Sequence, residues 1–228
     1  LRQSGQFHNN EKVIDRVMDS NALEKERGIT ILSKCTSIDW KNIRINIVDT
    51  PGHADFGGEV ERILNMVDGV MLLVDAAEGP MPQTKFVLTK ALNQNLNPIV
   101  LINKVDRSDQ RATEVLNDIF DLFIALDAND KQLDFPVLYS SAKNGWASND
   151  PDTTGQDMEV LLEKIVDHIP PPEADPNGPL KMLVTNLERD PYLGRVLTGR
   201  INSGSIQTNQ KVKSIDRTGK LVEKTRIT

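Results

Sequence analysis

Apolar positions along this 228-residue chain change rhythm as the sequence proceeds. Past a short turn at Lys41–Asn42 they alternate, with Ile43, Ile45 and Ile47 set against Arg44 and Asn46. A period of two suits a strand with one polar face, and the β-like stretch from Ile29 to Trp40 supplies its hairpin partner. The next runs differ: VMLLV (70–74), IVLIN (99–103) and PVLYSS (136–141) are short and nearly continuous. Apolar runs without alternation suit strands of a parallel sheet covered on both faces. Helical spacing falls between and after them, at 56–67, 82–94, 110–126 and 156–168. Strands alternating with helices of that length predict a doubly wound α/β sheet. Ligands of such sheets sit at the carboxyl ends of the strands, so those ends are where chemistry is sought.

Both flanks read differently. Residues 1–28 are polar and carry charges of both signs, with a helical stretch around Glu11–Met18. HIPPPEADPNGP (168–179) cannot continue a helix, because its prolines lack backbone donors and hold the chain extended. The expected organisation is therefore a nucleotide-type α/β domain over 1–170, a Pro-rich linker over 171–179 and a second domain over 180–228. In that second part LKMLVTNLE, GRVLTGRI, QKVKSID and KLVEKTRI are β-like runs separated by turn residues. They read as the opening strands of an all-β barrel. An unclosed barrel leaves an edge unpaired, and the chain starts at Leu1 rather than Met, so the expectation is a fragment.

Composition narrows the classes without choosing among them. With 38% hydrophobic and 26% charged residues the chain can bury a core, and wholesale disorder is excluded. The net charge of −6 gives no bulk attraction to nucleic acid or acidic membrane, although a local basic patch is compatible with it. One cysteine, Cys35, forms neither an internal disulfide nor a metal framework. No apolar run approaches the roughly 18 residues of a membrane span, and no signal segment is present. A monomeric cytoplasmic protein with no membrane contact is expected.

Asp-x-x-Gly occurs at Asp49, Asp55, Asp152, Asp175 and Asp216, mostly as turn chemistry. Only Asp49 closes a predicted strand. NKVD, Asn103 to Asp106, closes IVLI. A carboxylate at Asp106 can accept from both the ring N–H and the exocyclic amine of guanine. Adenine lacks those donors, and a carboxylate left unpaired can discriminate by roughly 10⁴. Asn103 would brace that loop, and the stem of Lys104 would cover the base or ribose. The alternative is a solvated polar turn. One strand later SSAK (140–143) offers small residues, Ser141 and Ala142, whose backbone N–H groups can approach a base oxygen, with Lys143 over its other face.

Upstream, Thr30 in EKERGIT could join a Mg²⁺ shell built from phosphate oxygens and water, or simply start a strand. Asp49 could reach the same ion, most readily through water. The N–H of Gly52 can approach a terminal phosphate without side-chain obstruction. His53 then stands where it could orient a water, although a loop histidine needs no such role. DFG at Asp55–Gly57 lacks the His-Arg-Asp loop a kinase requires. The three histidines are too scattered for a zinc pair.

Taken in order, Thr30, DTPGH, NKVD and SAK resemble the signature of P-loop GTP-binding proteins. RGITI and DTPGHADF are similar to the translational GTPases, and DSNALEKERGITIL, GGEVERIL and LDFPVLYSSA resemble the BipA/TypA family of ribosome-associated GTPases. The resemblance implies a P-loop NTPase-like G domain followed by a translation-factor barrel, with GTP, GDP and Mg²⁺ as ligands. It implies His53 as the catalytic residue, and Thr30 and Asp49 at the metal. Asp49, Gly52, Asn103, Lys104, Asp106, Ser141, Ala142 and Lys143 would hold GTP. It also implies the ribosome as partner, with His53 meeting the sarcin–ricin loop of large-subunit RNA.

One departure is severe: no Gly-x-x-x-x-Gly-Lys-Ser/Thr occurs in the chain. The family places that loop shortly before the segment resembling LRQSGQF, so the first strand and the P-loop are expected to be missing. The first strand would lie between 43–48 and 70–74, and direct pairing of those two is one way to close the gap. Weak or absent GTP hydrolysis by this chain is the expectation. Two alternatives stay open: an elongation-factor-type carrier of tRNA, and a non-catalytic nucleotide-binding interaction module.

Overall fold

A computed structural model describes residues 26, 33–51, 57–190 and 192–228. Thr30, Gly52, His53 and the stretch 11–18 lie outside the described residues. The chain divides into two compact units, Leu1–Pro171 and Pro172–Thr228.

In the first unit β1 (Lys34–Trp40) and β2 (Ile43–Asp49) form an antiparallel ribbon, with Ile38 opposite Ile45 and Trp40 opposite Ile43. Lys41 and Asn42 both take positive φ, 45° and 65°. Two left-handed residues make the primed two-residue turn whose twist matches the strands. Ser33 Oγ donates to Glu59 Oε1 at 2.7 Å, and Glu59 lies on α1 (Gly57–Leu64).

The main sheet contains β3 (Gly69–Asp75), β4 (Asn97–Asn103), β5 (Val137–Ser141) and β6 (Trp146–Ser148), in the order β3-β4-β5-β6. β3, β4 and β5 are parallel; β6 returns antiparallel along β5. Helices α2 (Pro82–Asn93) and α3 (Ala112–Ala125) provide the parallel crossovers, a short α4 (Asp130–Leu133) precedes β5, and α5 (Glu159–His168) follows β6. On one face Leu72, Val74, Val100 and Ile102 pack with Leu88, Val115, Ile119 and Phe123. On the other, Leu101 and Leu138 pack with Ala147 and Leu161. Consecutive residues of β4 therefore enter opposite cores, which is why IVLI shows no alternation. Burying each such side chain contributes about 1.5–3 kcal/mol.

The mixed α/β architecture read from the pattern holds, and three details differ. β3 is covered on one face only: Leu72 and Val74 are buried, whereas Met71 and Leu73 are 40% and 57% exposed. Among the described residues it is one of the two edge strands of the sheet, and the cluster on α5's side of the sheet contains no β3 residue. Next, β2 and β3 do not pair; they belong to separate sheets. Finally, α4 and β6 had no counterpart in the pattern. α4 is one turn long and is held by reciprocal capping, in which Gln132 N–H donates to Asn129 Oδ1 and Asn129 N–H to Gln132 Oε1. Its buried Gln132 also donates from Nε2 to Leu92 O at 2.9 Å.

The second unit is β-rich. β7 (Lys181–Asp190) and β8 (Gly194–Ser203) form one antiparallel ribbon, and β9 (Lys211–Ile215) and β10 (Leu221–Arg226) another. The Asp-x-x-Gly copies here are turns: Asp216 Oδ1 accepts from the N–H groups of Thr218 and Lys220, and Asp175 Oδ1 from that of Asn177.

Candidate nucleotide site at the carboxyl ends of the strands

Parallel strands β3, β4 and β5 end together at Asp75, Asn103 and Ser141. Backbone register sets Asp75 beside Asn103, and Asn103 beside Ser140. The apolar body of each strand fixes it in the sheet, so the first polar residue after the run emerges at the rim.

Asn103 is the knot of this rim. It is only 9% exposed, and its Oδ1 accepts from Ser140 Oγ at 3.1 Å and from Ala142 N–H at 3.0 Å. Val105 N–H donates to Ser140 O at 3.2 Å. The loops after β4 and β5 are thereby laced side by side, carrying Lys104 and Asp106 on one and Ala142 and Lys143 on the other. All four of these residues are exposed. Ser141 is fully buried, and its hydroxyl accepts from Asn144 Nδ2 at 2.9 Å; it shapes the loop from beneath.

Lys104 has φ of +66°, a left-handed conformation that costs a non-glycine residue about 1 kcal/mol or more. Its ammonium lies 2.6 Å from Asp75 Oδ2. Asp75 also accepts at Oδ1 from Ala77 N–H at 2.8 Å and Glu78 N–H at 3.2 Å, and Arg107 Nη1 stands 3.7 Å from Oδ2. Burial alone would raise the Asp75 pKa, but the Lys104 ammonium and the two backbone N–H groups outweigh it and hold the carboxyl below its ordinary value.

Asp75 was missed in the sequence. It lacks the Asp-x-x-Gly form that drew attention to Asp49, yet it closes an apolar run just as Asp49 and NKVD do. Its loop is bound further. Gly79 N–H donates to Asp75 O at 2.9 Å, and Arg111 Nε donates to Ala77 O at 3.0 Å while Nη1 donates to Asp118 Oδ2 at 3.0 Å.

Asp49 closes β2 opposite Lys34, in the separate ribbon rather than in the sheet that carries the other rim residues. Among the described residues no group of three His, Cys, Asp or Glu side chains converges on a metal position. The donor set read from the sequence, a Thr hydroxyl and an Asp carboxylate, fits Mg²⁺, which keeps most of its shell as water and phosphate oxygen. A concavity of about 320 Å³ is lined by Asp134, Phe135, Pro136, Lys164, Asp167 and His168. It lies where β5 begins, at the end of the sheet opposite the rim, and the strand-end rule favours the rim.

Residues 1–171 match the family described as the elongation factor Tu GTP binding domain. The chain belongs to this family. It is 56% identical over 220 residues to the large ribosomal subunit assembly factor BipA of Salmonella typhimurium, covering 96% of this chain and 36% of that protein. Its identity to the protein of the same name from Bacillus subtilis is 55% over 229 residues, covering 100% of this chain and 37% of the relative. The chain thus spans about a third of the length of these relatives. The resemblance to BipA-type translational GTPases read from the motifs is borne out.

Among solved structures, the chain resembles a bacterial selenocysteine-specific elongation factor with a TM-score of 0.66 and 23% identity, covering 92% of this chain and 36% of that one. It also resembles elongation factor SelB of Methanococcus maripaludis, solved with a GTP analogue, with a TM-score of 0.61 and 22% identity over 87% of this chain and 44% of that one. At those identities the likeness speaks to the fold.

Proposed function

We propose that this chain is the guanine-nucleotide part of a ribosome-associated GTPase that hydrolyses GTP to GDP and phosphate with Mg²⁺. The observation that carries the reading is the lacing of two loops by the buried Asn103 side chain, in a chain of the elongation factor Tu GTP binding domain family. A rim held this way loses little entropy on meeting a flat base, which favours binding.

In this reading Asp106 accepts from the ring N–H and exocyclic amine of guanine, and Asn103 holds the loop that presents it. The stem of Lys104 covers the purine, while Ser141, Ala142 and Lys143 shape the other side. Thr30 and Asp49 hold Mg²⁺, Gly52 donates its N–H to the terminal phosphate, and His53 orients the attacking water. Bound Mg²⁺ supplies charge neutralisation on the phosphate oxygens.

The relatives named large ribosomal subunit assembly factor support a ribosomal partner. In this reading His53 meets the sarcin–ricin loop of large-subunit RNA. In this reading the protein acts as a cytoplasmic monomer, the place of a ribosome-associated factor. The 228 residues contain no Gly-x-x-x-x-Gly-Lys-Ser/Thr, so by themselves they turn GTP over poorly.

The test is Asp106→Asn in the intact protein, read by GTP and XTP turnover with and without ribosomes. The wild type is expected to use GTP with ribosomal stimulation, and the variant to shift toward XTP, whose ring carbonyl matches an amide donor. An unchanged preference removes Asp106 from the base, and ribosome-insensitive turnover removes the partner. The same measurements separate this reading from a non-catalytic module, which would show no turnover at all.

A further inference from the structure

Asp75 divides its carboxylate between two loops. Oδ1 accepts from the N–H groups of Ala77 and Glu78, at 2.8 Å and 3.2 Å, and so shapes the loop that Asp75 itself opens. Oδ2 faces the neighbouring loop, with Lys104 Nζ at 2.6 Å and Arg107 Nη1 at 3.7 Å. These two cations are the first and last residues of a tight turn, closed by Arg107 N–H donating to Lys104 O at 3.1 Å. Asp106 stands inside that turn and is exposed. Arg107 is held from the other side by Asp109, whose carboxylate accepts from Nε at 2.8 Å and from Nη2 at 2.6 Å.

A brace between the two strands would be redundant at this point. β3 and β4 run in register as far as Asp75 and Asn103, and just beyond, Ala76 N–H donates to Asn103 O at 2.8 Å. The loop after β3 has no need of the charge either, because its two N–H donors are satisfied by any acceptor oxygen, an amide's included. A full negative charge is needed only by the cations on the far side. The charge of Asp75 therefore serves the turn. A lysine whose ammonium is already fixed has little freedom left to lose when its stem meets a flat ring. The same anchor holds the turn that carries Asp106.

We propose that Asp75 is a positioning residue for guanine recognition, acting from outside NKVD and SAK. It touches no base. It holds the Lys104–Arg107 turn so that the Lys104 stem and the Asp106 carboxylate stand in place before the purine arrives. This role rests on the guanine-nucleotide reading proposed above and adds to it the residue that sets the base-reading turn.

The experiment follows GDP binding and release, and GTP turnover on ribosomes, for the intact protein and for Asp75→Asn, Lys104→Met and the double variant. Asp75→Asn keeps an acceptor for Ala77 and Glu78 and removes only the charge. It is expected to quicken GDP dissociation several-fold and to raise KM for GTP by a similar factor, with kcat unchanged, because no phosphate contact is altered. The gap to wild type should narrow as salt rises, since the lysine end faces solvent. Lys104→Met keeps an apolar stem without the anchored charge, so it should release GDP about as fast as Asp75→Asn, and the double variant no faster than either. Effects that multiply in the double variant overturn the inference, because Asp75 would then act by a route other than the lysine. Wild-type release from Asp75→Asn overturns it too. So does a fall in kcat with KM unchanged, which would place Asp75 with the phosphates. If Asp75→Asn is too unstable to assay, Lys104→Met decides alone: wild-type release, with wild-type salt dependence, overturns the inference. A wild type that binds no guanine nucleotide removes the guanine reading and this role with it, and the binding step reports that before any variant is compared.

Discussion

Lys104 Nζ lies 2.6 Å from Asp75 Oδ2, joining the ends of two adjacent parallel strands through their side chains. The carboxylate is mostly buried, at 12% side-chain exposure, while the lysine is half exposed at 54%. The pair thus anchors a long, flexible cation to a fixed anion that two backbone N–H groups already hold. The left-handed backbone of Lys104 has a visible compensation: the bend that costs energy also aims the side chain at Asp75.

Asp75→Asn keeps the shape and removes the charge. Solvent screens the lysine end, so the expected loss of stability is about 1 kcal/mol rather than the larger value of a fully buried pair. Urea unfolding of wild type and variant measures it. A second readout is GDP dissociation, expected to quicken several-fold as Lys104 loses its anchor. If both quantities match wild type, the pair contributes nothing.

Asn103→Ala is a harsher change. It strips the acceptor from Ser140 Oγ and Ala142 N–H together at a site that is 9% exposed. Each buried donor left unsatisfied costs roughly 1–3 kcal/mol. By the same rule the buried Ser140 hydroxyl costs the variant about 1–3 kcal/mol of stability, whereas the N–H of the exposed Ala142 can turn to water; Ser140→Ala, which removes that donor and leaves the acceptor with another, is expected to cost less. Equal losses in thermal or urea melts would show that Asn103 does not lace the two loops.

Much of this rim was legible in the sequence. IVLIN and PVLYSS announced buried strands, and NKVD and SAK followed them, so the strand-end rule located Asn103, Asp106 and Lys143 from pattern alone. What escaped notice had physical causes. Asp75 acts through a partner 29 positions away in sequence, and local pattern carries no trace of such a pair. The exposure of Met71 and Leu73 depends on what covers β3, not on β3 itself. α4 is a single turn whose existence rests on the reciprocal bonds of Asn129 and Gln132, too short for a helical period to register.

Gly79 tests the loop that Asp75 opens. Its φ is +76°, and a Cβ there would come within 3.1 Å of Arg111 Nη2. Gly79→Ala therefore meets backbone strain of roughly 1–2 kcal/mol, while the arginine tip can move aside. A loss of that size in urea melts is expected. A variant as stable as wild type would mean the loop relaxes without the left-handed turn.

The charge state of Asp75 gives the rim a pH signature with a definite sign. Its folded pKa is depressed below the ordinary carboxylate value, so the unfolded chain takes up this proton at higher pH than the folded one. The stability the group contributes is full above its unfolded value, about 3.9, and is lost as pH falls through the lower folded value. Urea midpoints of wild type and Asp75→Asn should consequently differ near neutral pH and converge as pH is lowered through the acid range, because the variant lacks the group. The subtraction removes the other carboxylates common to both proteins, including Asp39 and Asp109, whose arginine hydrogen bonds lower their pKa values too. A difference that stays constant from neutral pH down to acid unfolding would show that the folded protein does not hold Asp75 preferentially ionised.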